Sequence, residues 1–211
     1  MVAGLNASQA ILAALFRRER TGAGATIDVA MMDGQLSLLT YHAGAHLNGG
    51  MNPSRIGNAH PSIHPFRQYE ARDGFFNLCV GNDALWQAFC TAIQQPELAH
   101  DARFESNRAR VDHREALDLI LHTLFIAHPV AHWLHLLEEA SIPCGPIRTV
   151  AQALADSPLA VHPHPDGGPE VRSIPLPFSI DGLPRAHKRR APRLGEHRTE
   201  ILARWLEKES Q

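Results

Sequence analysis

Residues 55–83 read RIGNAHPSIHPFRQYEARDGFFNLCVGND, and no other stretch restricts the fold as much. It opens with a Gly57-Asn58-Ala59-His60-Pro61 loop. FRQYEA and FFNLCV follow, separated by Arg72-Asp73-Gly74. Asp-Gly between apolar, aromatic-bearing runs predicts a β-hairpin, because Gly tolerates the positive φ that many tight turns need. The second strand ends at Gly81-Asn82-Asp83, and Asn82 or Asp83 is placed to cap an apolar helix, ALWQAFCTAI. A Gly-Asn-x-His-Pro loop beside a helix N-terminus suits an anionic or carbonyl ligand. The same residues also serve a plain turn shaped by Gly57 and Pro61. The pattern alone leaves both readings open.

Upstream, residues 1–20 carry helical apolar spacing, with Arg17, Arg18 and Arg20 at the end that the helix dipole favours for cations. Gly22 suits the left-handed stop. ATIDVAMM alternates like a strand, and Asp33 is expected to cap a second helix, GQLSLLTYHAGAHL. Helix, strand, helix is a piece of a layered α/β domain. Its apolar surface needs a sheet that this chain scarcely supplies, so the segment reads as the tail of a domain whose front is missing.

Downstream, residues 84–140 read as helices. ARVDHREALDLILHTLFIAH is expected as one long helix with Asp112 and Glu115 in its first turns, and Pro129 as the start of the next. Cys144-Gly145-Pro146 is expected to set a linker bend, and Thr149 to cap VAQALADS. Within the Pro- and Gly-rich tail, only EVRSIPLPFSI suggests strands. Residues 185–193 form a basic run in which Lys188, Arg189 and Arg190 are read first as a solvated face, with a phosphate contact as the lesser reading. A last amphipathic helix follows Gly195.

The formal net charge of -2 gives no general drive toward nucleic acid. No apolar run is long enough for a membrane span. Three widely spaced cysteines, Cys79, Cys90 and Cys144, point to thiols in a reducing cytoplasm. The 14 histidines are scattered. The pairs His60/His64 and His132/His135 have ligand-like spacing but no completing partner, so no metal site is expected.

Four stretches occur in order: ILAALFRRERTGAGATIDVAMMDG, GNAHPSIHPFRQYEARDGFFNLCVGND, IPCGPI and APRLGEHRTEIL. Together they resemble the family III CoA-transferases, the group of formyl-CoA transferase, carnitine CoA-transferase and α-methylacyl-CoA racemase. The resemblance spans nearly the whole chain but corresponds to the C-terminal half of such proteins. It implies an α/β fold: the C-terminal part of a Rossmann-like large domain plus a smaller α+β domain, with the N-terminal half missing. The expected division is 1–50 as a remnant of the large domain, 51–145 as the small domain and 146–211 as the return to the large one. It also implies interlocked homodimers, or here a complementing N-terminal half.

The implied activity is acyl-CoA:carboxylate CoA transfer, with acyl-CoA and a small carboxylate as substrates and no cofactor beyond the CoA thioester. An Asp attacks the thioester, and the mixed anhydride gives way to an aspartyl-CoA thioester that hands CoA to the acceptor. That Asp aligns just before Met1, and Asp28 and Asp33 do not replace it, so no catalytic residue is assigned. A racemase-like isomerase and a non-catalytic binding or dimerisation module are the alternatives. Family members usually have a longer segment at Leu159–Pro165, with an extra strand before a His-Pro-x-x-Gly turn, and this chain is expected to be shortened there. The resemblance places Gly57 and Asn58 in a flexible loop near the substrate, where backbone N–H groups can hold an oxyanion, with His60 and Pro61 completing the motif. It places Asn82 and Asp83 at a strand end that carries an acid in the racemase branch. A helix cap is the competing role for Asp83. The substrate-binding candidates are therefore Gly57, Asn58, His60, Asn82 and Asp83.

Overall fold

The computed structural model describes residues 1–183 and 190–208. The chain divides into two compact units, Met1–Pro61 and Ser62–Gln211.

The first unit is helical. α1 (Val2–Thr21) ends at Gly22, whose φ of 71° and backbone N–H donating to the Arg18 carbonyl make the expected left-handed stop. α2 (Met31–Ser37) and α3 (Tyr41–Gly49) follow. The single second helix expected from sequence is thus broken, at Thr40, where φ turns to +45°. Asp33 lies inside the first turn of α2, and Ala30 occupies the cap position. The strand expected near Ile27–Met31 is absent: residues 23–30 are non-helical and carry no ladder. An alternating pattern predicts a strand only where a neighbouring strand supplies the hydrogen bonds. Gly34 is the one buried residue of this unit, and a Cβ there would meet Asn6 Nδ2 at 3.0 Å, so α1 and α2 approach closely.

The second unit contains the core. β1 (Phe66–Ala71) and β2 (Gly74–Cys79) form the expected antiparallel hairpin. Its turn differs in detail. Ala71 pairs with Gly74, leaving Arg72 and Asp73 as the two turn residues, and neither they nor Gly74 has positive φ. External bonds hold the turn: Arg72 N–H donates to the His128 carbonyl at 3.0 Å, and Asp73 Oδ1 accepts from Val130 N–H at 2.7 Å. Cys144-Gly145-Pro146 is β3, paired with β2, rather than a linker bend. Its short extended run completes the sheet β1-β2-β3.

Four helices cover this sheet or its ends: α4 (Asp83–Ala92), α5 (Asn107–Asp112), α6 (Arg114–Phe125) and α7 (Val130–Glu139). A 3₁₀ turn at Pro96–Ala99 follows α4. The long helix expected over 109–128 is broken at His113, so Asp112 ends α5 and Glu115 lies in the first turn of α6. Pro129 is the cap residue of α7 rather than its first helical residue. Helical spacing puts Leu117, Leu121 and Phe125 on one face of α6 and Trp133 and Leu137 on one face of α7. These meet Tyr69, Phe76 and Leu78 of the hairpin and Trp86 and Phe89 of α4 in one buried cluster.

Beyond the sheet, Thr149 caps α8 (Val150–Ala155) with a reciprocal Gln152 capping box. β4 (Ala160–His162), within the Leu159–Pro165 segment, pairs with β5 (Val171–Ser173). The strand expected over EVRSIPLPFSI is confined to β5, because its prolines cannot donate to a ladder. The last helix is α9 (Arg198–Lys208). Among the described residues no single helix is long and apolar enough to cross a membrane.

Candidate functional site

The candidate loop leaves α3 at Gly50, which has φ of 63°. Gly57 has φ of 66°, and a Cβ there would meet nothing within 4 Å. Glycine is thus required by backbone conformation and not by space. Gly57 and Asn58 are exposed, and His60 is half-buried with its ring stacked on Tyr41 at 5.8 Å between centroids. These three candidates share one loop of the first unit.

Asn82 and Asp83 lie together in the second unit. Asn82 does what its sequence position predicts: its side chain accepts from Leu85 N–H at 2.9 Å and caps α4. Asp83 is the first helical residue and does not cap. Its Oδ1 accepts from the Arg110 guanidinium at 2.7 Å and from Asn107 N–H at 3.0 Å. The carboxylate therefore faces a dedicated cation, at the helix end whose dipole favours negative charge.

Arg110 is fully buried. Nε donates to the His64 carbonyl at 2.8 Å and one terminal nitrogen donates to the Phe104 carbonyl at 2.9 Å, while the guanidinium lies 4.9 Å from the Trp86 ring centre. Asn107 works beside it. Its side-chain nitrogen donates to the Ser62 carbonyl at 2.8 Å, and its oxygen accepts from His64 N–H at 3.2 Å.

A second polar group adjoins them. Asp118 on α6 accepts from Arg67 at 2.7 Å and from the Tyr69 hydroxyl at 2.9 Å, and buried His64 Nε2 lies 3.3 Å away. Burial alone raises the Asp118 pKa, but His64, Tyr69 and Arg67 together outweigh it and hold the carboxyl below its usual range. Burial, then the Asp118 charge, pushes the Tyr69 phenol well above its ordinary value.

Among the described residues no group of three or more His, Cys, Asp or Glu side chains could hold a metal ion. The His132 ring of the His132/His135 pair stacks on His128 at 4.2 Å, and the pair His60/His64 is spent on Tyr41 and Asp118. Of the basic run, Lys188 and Arg189 lie outside the described residues, and Arg190 forms an ion pair with Glu196.

The profile of CoA-transferase family III matches residues 1–198. The chain belongs to CoA-transferase family III. Family III relatives include the acetyl-CoA:oxalate CoA-transferase of Acetobacter aceti, 40% identical over 190 residues, which covers 88% of this chain and 48% of that protein. The succinate–glutarate CoA-transferase of Agrobacterium fabrum is 32% identical over 205 residues, 95% of this chain and 51% of that protein. A crystal structure of a CAIB/BAIF family protein from Brucella suis superposes with a TM-score of 0.77 at 34% identity, covering 97% of this chain and 54% of that one. The chain thus spans about half the length of the family III proteins it matches, and its mixed α/β architecture with small antiparallel sheets is theirs.

Sequence reasoning missed Asn107, Arg110, His64 and Asp118 within this family III chain. Arg110 sits in NRARVDHREA among other charges, where nothing marks it as buried. Its partners Asp83 and His64 are 27 and 46 residues away. Local pattern carries no signal over that separation. The one available cue was Ser106-Asn107 as a helix start, and Ser106 does cap α5.

Proposed function

We propose that this chain works as the substrate-covering part of an acyl-CoA:carboxylate CoA-transferase. What carries the reading is the 40% identity to an acetyl-CoA:oxalate CoA-transferase over 88% of the chain, a span long enough to take in both candidate segments. In the proposed reaction a carboxylate nucleophile attacks the thioester carbonyl and expels the CoA thiolate. The thiolate then attacks the enzyme-side carbonyl of the anhydride, releasing the first acid and leaving a CoA thioester on the enzyme. The acceptor carboxylate attacks this thioester and expels the thiolate, forming a second anhydride; the thiolate then attacks the acceptor-side carbonyl, which makes the product thioester and releases the nucleophile's carboxylate.

Residues 1–211 are proposed to supply no nucleophile. Gly57, Asn58 and His60 line the acyl-CoA, the loop amides facing the thioester oxygen as its charge develops. Asn82 and Asp83 are the substrate-binding candidates of the second unit. Because Oδ1 of Asp83 is taken by Arg110 and the Asn107 amide, racemase-like proton transfer by Asp83 is the less favoured reading. The partner is a second copy or a chain carrying the family's N-terminal half. The exposed apolar side chains of α1 support such an assembly, and they also favour a dimerisation role for a non-catalytic chain. The three cysteines are unpaired thiols, which fits work in the cytoplasm.

The test is transfer of CoA from acetyl-CoA to oxalate, read by mass spectrometry of the products. The chain is assayed alone and mixed with the N-terminal half of the Acetobacter relative. Transfer in the mixture and none from the chain alone is expected. No transfer in the mixture, with acetyl- or succinyl-CoA as donor and oxalate or glutarate as acceptor, would refute the transferase reading. A covalent CoA adduct on the chain alone would refute the external nucleophile.

A further inference from the structure

Two segments of the second unit bear on the proposed substrate site. One is Ser62–His64, the continuation of the candidate loop, two residues after His60. The other is Asn82–Asp83 at the start of α4. They are 18 or more residues apart in sequence, and the hairpin lies between them. Both are held by α5. Asn107 bonds the Ser62 carbonyl, the His64 amide and Asp83; Arg110 bonds the His64 carbonyl and Asp83.

A long polar side chain in a core is costly unless its donors are used. Here a fully buried guanidinium spends its bonds on segments flanking the candidate residues, with Phe104 the one exception. Asn107 is likewise specific. It grips the backbone on both sides of Ile63, donating to one residue and accepting from the other, so it fixes the direction of the chain there and not only its place.

We propose that Asn107 and Arg110 are positioning residues for the acyl-CoA site: within the second unit they fix Ser62–His64, the root that follows the Gly57–Pro61 loop in sequence, against the first turn of α4. The proposal rests on the transferase reading. Its physical content is a population. With the root fixed, the loop needs little further ordering to close over a thioester. With the root loosened, the binding-competent state is a smaller fraction of the whole, and apparent affinity falls by that fraction. The consequence falls on KM more than on the chemical step, because neither residue is assigned contact with the reacting atoms.

The experiment has two arms. In the first, amide exchange is followed by NMR on the 211-residue chain. Asn107→Ala is expected to speed exchange of the His64 amide about tenfold while the β1–β2 ladder amides stay protected. Asn107→Asp, which keeps the acceptor, is expected to restore most of that protection. In the second arm, transfer kinetics are measured in the mixture with the N-terminal half. Asn107→Ala is expected to raise the KM for acetyl-CoA about tenfold with kcat within about twofold, and Asn107→Asp to recover part of the loss. Ile142→Val, a mild core change far along the chain, is the control and is expected to leave KM unmoved. An unaltered His64 amide in Asn107→Ala overturns the proposal. So does an unaltered KM, or one that shifts equally in Ile142→Val. If the wild-type mixture shows no transfer, the transferase reading fails, and the first arm alone decides whether α5 holds the loop root.

Discussion

Arg110 is completely buried, yet its ionic partner Asp83, 2.7 Å away, has a side chain 57% exposed. The two ends of the pair therefore have unequal value. Asp83 keeps much of its hydration, so loss of the attraction costs little on that side. Arg110 has no water to fall back on.

Substitution should reveal that asymmetry. Arg110→Met leaves the His64 and Phe104 carbonyls without their buried donor and should lower unfolding free energy by about 3 kcal/mol. Asp83→Asn keeps an acceptor for both Arg110 and the Asn107 amide and should cost about 1 kcal/mol. Urea midpoints at constant m-value measure both. Equal losses would mean that the exposed carboxylate, and not the buried carbonyls, dominates.

The core predicts an equally sharp contrast along one helix. Phe125 lies edge-on to Phe76 at 5.1 Å, to Trp133 at 5.1 Å and to Tyr69 at 5.2 Å, and is fully buried. Phe125→Ala should cost about 3–5 kcal/mol through lost contacts and a residual cavity. Leu119, on the same helix, is 69% exposed, and Leu119→Ala should stay within about 0.5 kcal/mol. Thermal or urea unfolding of the two variants is the check.

Acid should act through Asp118. Its folded pKa is lowered, so folding favours the charged form. That contribution is present above the unfolded-chain value of about 4 and is lost as pH falls through the folded value. Asp118→Asn should lower stability by roughly 2 kcal/mol at neutral pH and flatten its decline below about pH 4. Tyr69 gives the alkaline counterpart. Its raised pKa makes the neutral phenol the stabilised form, so its contribution holds below about pH 10 and is lost as pH rises through the folded value. Absorbance titration near 295 nm should lose its latest phase in Tyr69→Phe. A Tyr69→Phe trace that superposes on the wild type would refute the assignment.

These residues mark where sequence patterning stopped being informative. The hairpin, the Asn82 cap, the Thr149 capping box and the apolar stripes of α6 and α7 were legible because each depends on residues within about eight positions. The family resemblance was legible because four ordered stretches carry it. The strand expected near Ile27–Met31 failed because a strand exists by virtue of a neighbour, and no neighbour pairs there. Cys144-Gly145-Pro146 failed in the opposite sense: a short Gly-Pro run became a strand because β2 offered an open edge. Of the site, the loop glycine and the cap were readable from local conformation. The α5 bracket was not, since Arg110 in a charged run looks like any solvated arginine.

The last prediction concerns the first unit, where α1 leaves Leu5, Leu12, Leu15 and Phe16 between 41% and 67% exposed. Its buried positions are close to none, so its helices lack the core that would stabilise them alone. An apolar stripe of this extent gains free energy at about 25 cal/mol per Å² on being covered. The chain alone should therefore self-associate as its concentration rises, and should bind a hydrophobic dye. Paired replacement, Leu12→Lys with Phe16→Lys, should abolish both effects. The urea midpoint of the second unit should be unchanged, because its core takes nothing from α1. Light scattering after size exclusion, across a concentration series, reads the association, dye emission reads the exposed surface, and tryptophan fluorescence reads the urea midpoint through buried Trp86 and Trp133. A wild-type chain that stays monomeric and dye-free at every concentration would sink the argument that this face is built to be covered. In the mixture with the N-terminal half, the same double variant should lose transfer by failing to assemble, with its second unit still folded.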